Sequence, residues 1–188
     1  MRHPRWEHKT KAEILAATHL PMIVLSDNIF SPLAWAIRHA QKREHQSGYW
    51  QHAMVYFAPM GKLASQEWRL RRRCVCEFTA GDHRLKFWYN PTWTLGRRIR
   101  ALGRVGYALR LPWWRQLYDP LGVVGQAIGR PCLNIPCLSY CSEFTGNVLR
   151  ALEPDFKIDN PSPSEINSWC NEHPQMAVWG RYDPDVEV

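Results

Sequence analysis

His52-Ala-Met-Val-Tyr-Phe57 is an apolar run headed by an imidazole and stopped by Pro59-Met-Gly61. Its length and the turn residues behind it predict a buried strand with a histidine at its start. Upstream, Met22-Ile-Val-Leu25 lies between Pro21 and Ser26-Asp-Asn28 and reads as a companion strand. Between the two, Ser31 offers an N-cap hydroxyl, Pro32 suits the first helical position, and Leu33, Ile37 and Ala40 recur at helical spacing to about Arg43. A helix is expected there. Downstream, Arg71-Arg-Arg73 leads into Cys74-Val-Cys-Glu-Phe78, read as a third strand, and Ala80-Gly-Asp82 turns into a fourth from Arg84 to Tyr89. Leu85, Phe87 and Tyr89 alternate along it, so the two strands are expected to form a hairpin.

The second half of the chain reads as helices. One is expected from near Ser139, with Phe144, Val148 and Leu152 on one face and Pro154 after its end. Another follows Ser162-Pro-Ser-Glu165, a capping box with proline at the first helical position, and runs to about Glu172 before His173-Pro174. Leu95 to Leu102 predicts a short basic helix. Strands first and helices later give an α+β class: a small antiparallel sheet packed on helices. The expected organisation is a basic N-terminal extension over residues 1–20 and a single domain over 21–188, with a basic Trp/Arg-rich insertion around 90–117.

The chain has 188 residues, 24 Lys+Arg against 17 Asp+Glu, and so a net charge of +7. With 45% hydrophobic and 22% charged residues it has the composition of one globular domain, not of a disordered chain. No window holds the roughly 18–20 apolar residues of a membrane-spanning helix, and the apolar stretch from Ala12 to Leu25 is broken by Glu13, His19 and Pro21. No signal peptide is expected, which points to a cytoplasmic or virion-associated protein. Six cysteines are present: Cys74, Cys76, Cys132, Cys137, Cys141 and Cys170. A domain of this size stands without staples, so most of the six are expected to be reduced thiols.

Tyr140-Cys-Ser-Glu-Phe144 places a thiol where a Pro-containing approach gives way to an amphipathic helix. A helix start presents free N–H groups and a partial positive charge, which favour a thiolate and an oxyanion alike. A thiolate nucleophile needs a base, usually a histidine. Of the eight histidines, His52 alone heads an apolar strand. His173 lies 173 − 141 = 32 residues after Cys141, an interval occupied mostly by helices. A strand-borne histidine must therefore precede the cysteine. The plain alternative is that Cys141 is a small core residue and His52 a satisfied strand-end histidine.

His52-Ala-Met-Val-Tyr-Phe57, followed 141 − 52 = 89 residues later by Cys141-Ser-Glu, resembles the circularly permuted papain-like hydrolases, the YiiX- and YaeF-like relatives of the NlpC-type amidases. In that family a strand beginning Ser-His carries the base and a Cys-Ser-Glu tripeptide opens the nucleophile helix. The resemblance implies a permuted papain-like fold with Cys141 as nucleophile, His52 as base and Glu77, in Cys74-Val-Cys-Glu-Phe78, as the residue orienting the imidazole. It also implies one oxyanion donor in the main-chain N–H of Cys141, with Tyr140, Ser142 and Tyr118 as secondary residues of the site. Tyr118-Asp-Pro-Leu-Gly122 and the Ser162–Glu165 helix start match more loosely. Leu20-Pro21 and Gln51 depart from the pattern, where Gly-Asp and Ser are usual. The implied activity is amide hydrolysis through a thioacyl intermediate, foremost in peptidoglycan stem peptides, with lipid thioesterase or acyltransferase chemistry as a variant.

Two other uses of these residues compete. Cys132, Cys137 and Cys141 with Cys170 or His173 form an irregular set without paired C-x2-C knuckles, so no metal and no cofactor is expected. Arg97, Arg98, Arg100 and Arg104, with Trp93, Trp113 and Trp114 nearby, form a basic aromatic segment suited to a polyanion. A non-catalytic structural or binding protein, such as a virion or envelope component, would use that segment to hold an anionic polymer. No DNA- or RNA-binding motif accompanies it, which argues against nucleic acid.

Overall fold

The computed structural model describes residues 7–18, 20–28, 50–80, 83–117, 119, 121 and 139–185. The helix expected from Ser31, and Tyr118, Cys132 and Cys137, lie outside the described residues.

Among the described residues six strands form one antiparallel sheet: β1 Met22–Asn28, β2 His52–Ala58, β3 Lys62–Gln66, β4 Leu70–Cys74, β5 His83–Tyr89 and β6 Ala177–Tyr182, in the order β4-β3-β2-β1-β5-β6. The class is α+β. Because side chains alternate across a strand, the two most apolar strands feed two cores. Ile23 and Leu25 of β1 and Ala53 and Val55 of β2 face one layer of helices: α3 Leu95–Ala108, α4 Cys141–Leu152 and α5 Pro163–Glu172. Ala101, Val105, Phe144, Val148, Leu149 and Ile166 fill that layer. Met22, Val24, Met54 and Tyr56 face the other side, where the short helices α1 Lys11–Leu15 and α2 Val75–Thr79 contribute Ile14, Val75 and Phe78.

Three expectations are corrected. The run Cys74–Phe78 is not a strand: β4 ends at Cys74, and α2 begins with a capping box in which the Cys74 sulfur accepts the Cys76 N–H and the Glu77 carboxylate accepts the Cys74 N–H. A cysteine sulfur here stands where a Ser or Thr oxygen usually caps, and Glu77 is the N3 residue of that motif. The expected hairpin is consequently absent. Helix α2 carries the chain under the sheet from edge strand β4 to β5, which pairs with β1 and β6 instead. Finally, Cys74 and Cys76 are joined by a disulfide, so these two thiols are not reduced core residues.

Helix α3 runs to Ala108, past the expected Leu102, because Thr94 caps its start and Ala101 and Val105 are buried against α4. Gly103 and Gly106 face open space and do not stop it. Gly61 carries φ +73° in the β2–β3 turn, and a Cβ there would lie 2.6 Å from Val75 Cγ1. Only glycine meets both conditions. Part of the expected N-terminal extension belongs to the fold: Ile14 is fully buried, and residues 7–9 run along β6, with Lys9 N–H bonded to the Arg181 carbonyl and Arg181 N–H to that of Glu7.

Candidate functional site

Cys141 is the first residue of α4, a helix of 12 residues, and Tyr140 is its N-cap, with no side-chain cap bond. The segment before it is held by a backbone bond from Asp119 N–H to the Ser139 carbonyl. Tyr140, Cys141 and Ser142 are all buried. Main-chain N–H groups of Ala53, Ser142 and Cys141 itself and the Ser142 hydroxyl face the sulfur and favour its anion, but burial outweighs them and pushes the thiol up to about 11. Cys141 therefore rests as a thiol. The Tyr140 hydroxyl is buried without a hydrogen-bond partner among the described residues, and burial together with Glu143, Cys141, Glu165 and Asp119 pushes its pKa up.

His52 is one residue from Ala53, yet its ring points away from α4. Along β2, Ala53 and Val55 lie in the core shared with α4, so His52, like Met54 and Tyr56, belongs to the α1/α2 face. The contacts agree. His52 Nε2 lies 2.8 Å from Ser65 Oγ, and Ser65 donates onward to Glu67 Oε1 at 3.2 Å. Because that hydroxyl proton goes to Glu67, the imidazole must be the donor in the first bond, which assigns it the Nε2–H tautomer. Burial pushes the His52 pKa down to about 4, and the nearby His83 and Arg73 charges push in the same direction. No hydrogen bond joins His52 to Cys141. A neutral imidazole on one face and a buried thiol reached from the other are not the ion pair of an activated cysteine.

Glu77 does not orient His52. It is exposed, caps α2 and pairs with Arg73 Nε at 3.0 Å. The carboxylate linked to the imidazole, through Ser65, is that of Glu67, which Arg73 Nε also approaches, at 3.5 Å. On the α4 side the strand entry carries Gln51, whose Nε2 donates to Asp27 Oδ1 at 2.8 Å in a buried bond. Nothing in the sequence marks Ser65, Glu67 or Asp27 as members of these pairs, since strands that are neighbours in the sheet bring them together.

The arginine segment divides in two. Arg97 reaches Glu153 Oε2 at 3.4 Å, Arg98 Nε donates to the Trp93 carbonyl at 3.1 Å, and Arg104 Nη1 to the Asn147 carbonyl at 2.6 Å. Arg97 and Arg104 fasten α3 to α4 and its C-terminal end, and Arg98 closes onto the residue before the α3 N-cap. Glu153, almost fully buried, also accepts Trp93 Nε1 and Asn90 Nδ2, each at 2.6 Å. Arg100 and Arg110 have no side-chain hydrogen bond or ion pair among the described residues, and Arg115, exposed, lies over the Trp114 ring at 4.9 Å. Trp113 and Trp114 open a 3₁₀ turn, Trp113–Gln116, whose end is tied to the β3–β4 turn through Gln66 Nε2 and the Gln116 carbonyl at 2.9 Å. Among the described residues no cluster of His, Cys, Asp and Glu could hold a metal, and no helix is long and apolar enough to cross a membrane. Comparison with family models, curated proteins and solved structures finds no match for the chain.

Proposed function

We propose that the protein binds a densely anionic partner through α3 and the 3₁₀ turn that follows it. One observation carries this reading. No Asp or Glu stands between Asn90 and Leu117, and on this stretch Arg100, Arg110 and Arg115 are exposed and free of carboxylate partners among the described residues. Such a face attracts phosphate, sulfate or carboxylate arrays by long-range electrostatics and by charge-assisted hydrogen bonds from guanidinium. Binding of the full chain to heparin, followed across salt concentrations, tests it. Affinity should fall steeply with salt, and the triple change Arg100→Gln, Arg110→Gln, Arg115→Gln should flatten that dependence. Salt-independent binding, or no binding to heparin or any other anionic partner, rejects the proposal.

A second reading is a cysteine hydrolase of the permuted papain-like fold, cleaving an amide bond in peptidoglycan or, in the lipid variant, a thioester or ester. It is favoured by the Cys141 sulfur, which meets main-chain N–H groups at the first turn of α4. In that chemistry the sulfur attacks the carbonyl carbon, a base takes the thiol proton and returns it to the leaving group, and water releases the acyl group from the sulfur. His52 would have to reach the sulfur side of β2 to serve as the base. Digestion of purified peptidoglycan by the wild type and Cys141→Ala, with products identified by mass, tests bond class and nucleophile together. An unchanged digest, or equal products from both proteins, rejects the reading for that substrate.

A further inference from the structure

The arginines are only part of what α3 and the turn after it expose to solvent. Leu95, Ile99, Tyr107, Trp113 and Trp114 present 73%, 59%, 67%, 65% and 47% of their surfaces to solvent. At about 100° per residue, Leu95, Ile99, Gly103, Gly106 and Tyr107 all fall within about 60° of the direction opposite buried Ala101. The outward ridge of α3 is thus apolar, and Arg100 lies on its flank. We propose that this face docks on the interface of an anionic lipid bilayer, with Leu95, Ile99, Trp113 and Trp114 entering the headgroup–acyl boundary and Arg100, Arg110 and Arg115 on lipid phosphates. The proposal rests on the anionic-partner reading and names the partner.

The chemistry favours a bilayer over a soluble polyanion. A sulfated or phosphorylated polymer is recognised by the guanidinium groups alone and offers nothing to Leu95 or Ile99, which would stay in water. A single-stranded nucleic acid could stack on Trp113 and Trp114, but Leu95 and Ile99 have no aromatic face for a base. A bilayer interface accommodates all three residue types at once: aliphatic side chains below the headgroups, indoles at headgroup level and arginine among the phosphates. The acid-free stretch complements a negative membrane surface in charge. Since the described helices are too short and too polar to cross, the contact is one of lying on the membrane.

Co-sedimentation of the full chain with vesicles tests the proposal, using phosphatidylcholine alone and phosphatidylcholine with phosphatidylglycerol, beside heparin and single-stranded DNA as soluble polyanions. The wild type should bind the phosphatidylglycerol vesicles and not the neutral ones. The double variant Leu95→Ser, Ile99→Ser should lose at least about tenfold in vesicle affinity and keep its heparin affinity. The triple variant Arg100→Glu, Arg110→Glu, Arg115→Glu should lose both. These side chains are exposed, so unchanged circular dichroism and melting show that each variant folds. Binding to heparin or DNA without vesicle binding, or vesicle binding untouched by the Leu95/Ile99 change, overturns the bilayer proposal and leaves the anionic-partner reading standing. Failure to bind any of the anionic partners overturns both.

Discussion

His52 Nε2 and Ser65 Oγ lie 2.8 Å apart on the face of the sheet turned away from α4. With the imidazole neutral and its pKa near 4, against an ordinary 6.5, the unfolded chain binds a proton more readily than the folded one over the interval between. Stability from this site is therefore complete above pH 6.5 and drains away as the pH falls toward 4. The full shift corresponds to about 3 kcal/mol. Denaturant unfolding at pH 7, 5.5 and 4.5 should show a loss that His52→Gln reduces. An identical pH dependence in the two proteins contradicts the assignment.

Lys86, buried on the α5 side of β5, shifts in the same direction over a higher pH range. Its ammonium donates to Asn167 Oδ1 at 2.9 Å and lies 4.0 Å from the Trp88 ring centroid, while burial, aided by Arg181, pushes the pKa down to about 7. The unfolded chain keeps its proton to 10.5, so stability should rise as pH climbs from 7 toward 10. Lys86→Met removes the titration, and its melting temperature should rise less over that range. A parallel rise in both proteins would place the effect elsewhere.

Glu153 ties α3 to the end of α4 by accepting from Asn90, Trp93 and Arg97. Glu153→Ala leaves these donors without their acceptor inside the protein and should cost about 3 kcal/mol, read from urea midpoints. A change under about 0.5 kcal/mol, the range of ordinary surface substitutions, would show the network to be incidental.

One substitution should have opposite signs in two helices. At Gly103 of α3 an added Cβ meets nothing within 4 Å, so Gly103→Ala should stabilise by about 0.5–1 kcal/mol through helix propensity. At Gly146 of α4 it would stand 2.7 Å from Pro161 Cγ, and Gly146→Ala should destabilise by about 1–3 kcal/mol. Thermal melts of the two variants decide it, and equal signs would refute the packing of α4 against Pro161.

Much of this architecture is legible in the residues themselves. Strands β1, β2 and β5 are apolar runs between turn residues, and α5 announces itself by Ser162 and Glu165. What escapes is carried by context. Lys62–Gln66 and Leu70–Cys74 are short and polar enough to pass for loop, and β6 is a short strand holding Gly180. Helix α2 is hidden because a cysteine does the capping of a serine. The candidate site fails to be legible for a sharper reason. An apolar run shows that a strand exists, but which face its first residue joins depends on register against strands and helices far away in the chain. His52 and Gln51 differ by one position, and that position separates the Ser65 side from the Cys141 side.

The sheet has two edges, and the chain treats them differently. On β4 three consecutive arginines, Arg71, Arg72 and Arg73, discourage a second molecule from extending the sheet. On β6 residues 7–9 lie alongside, exchanging backbone bonds with Arg181. Trimming the chain to its sheet-forming residues would strip that cover and leave β6 open to self-association. Expression designs and affinity tags should therefore respect residues 7–9 as a structural lid against aggregation.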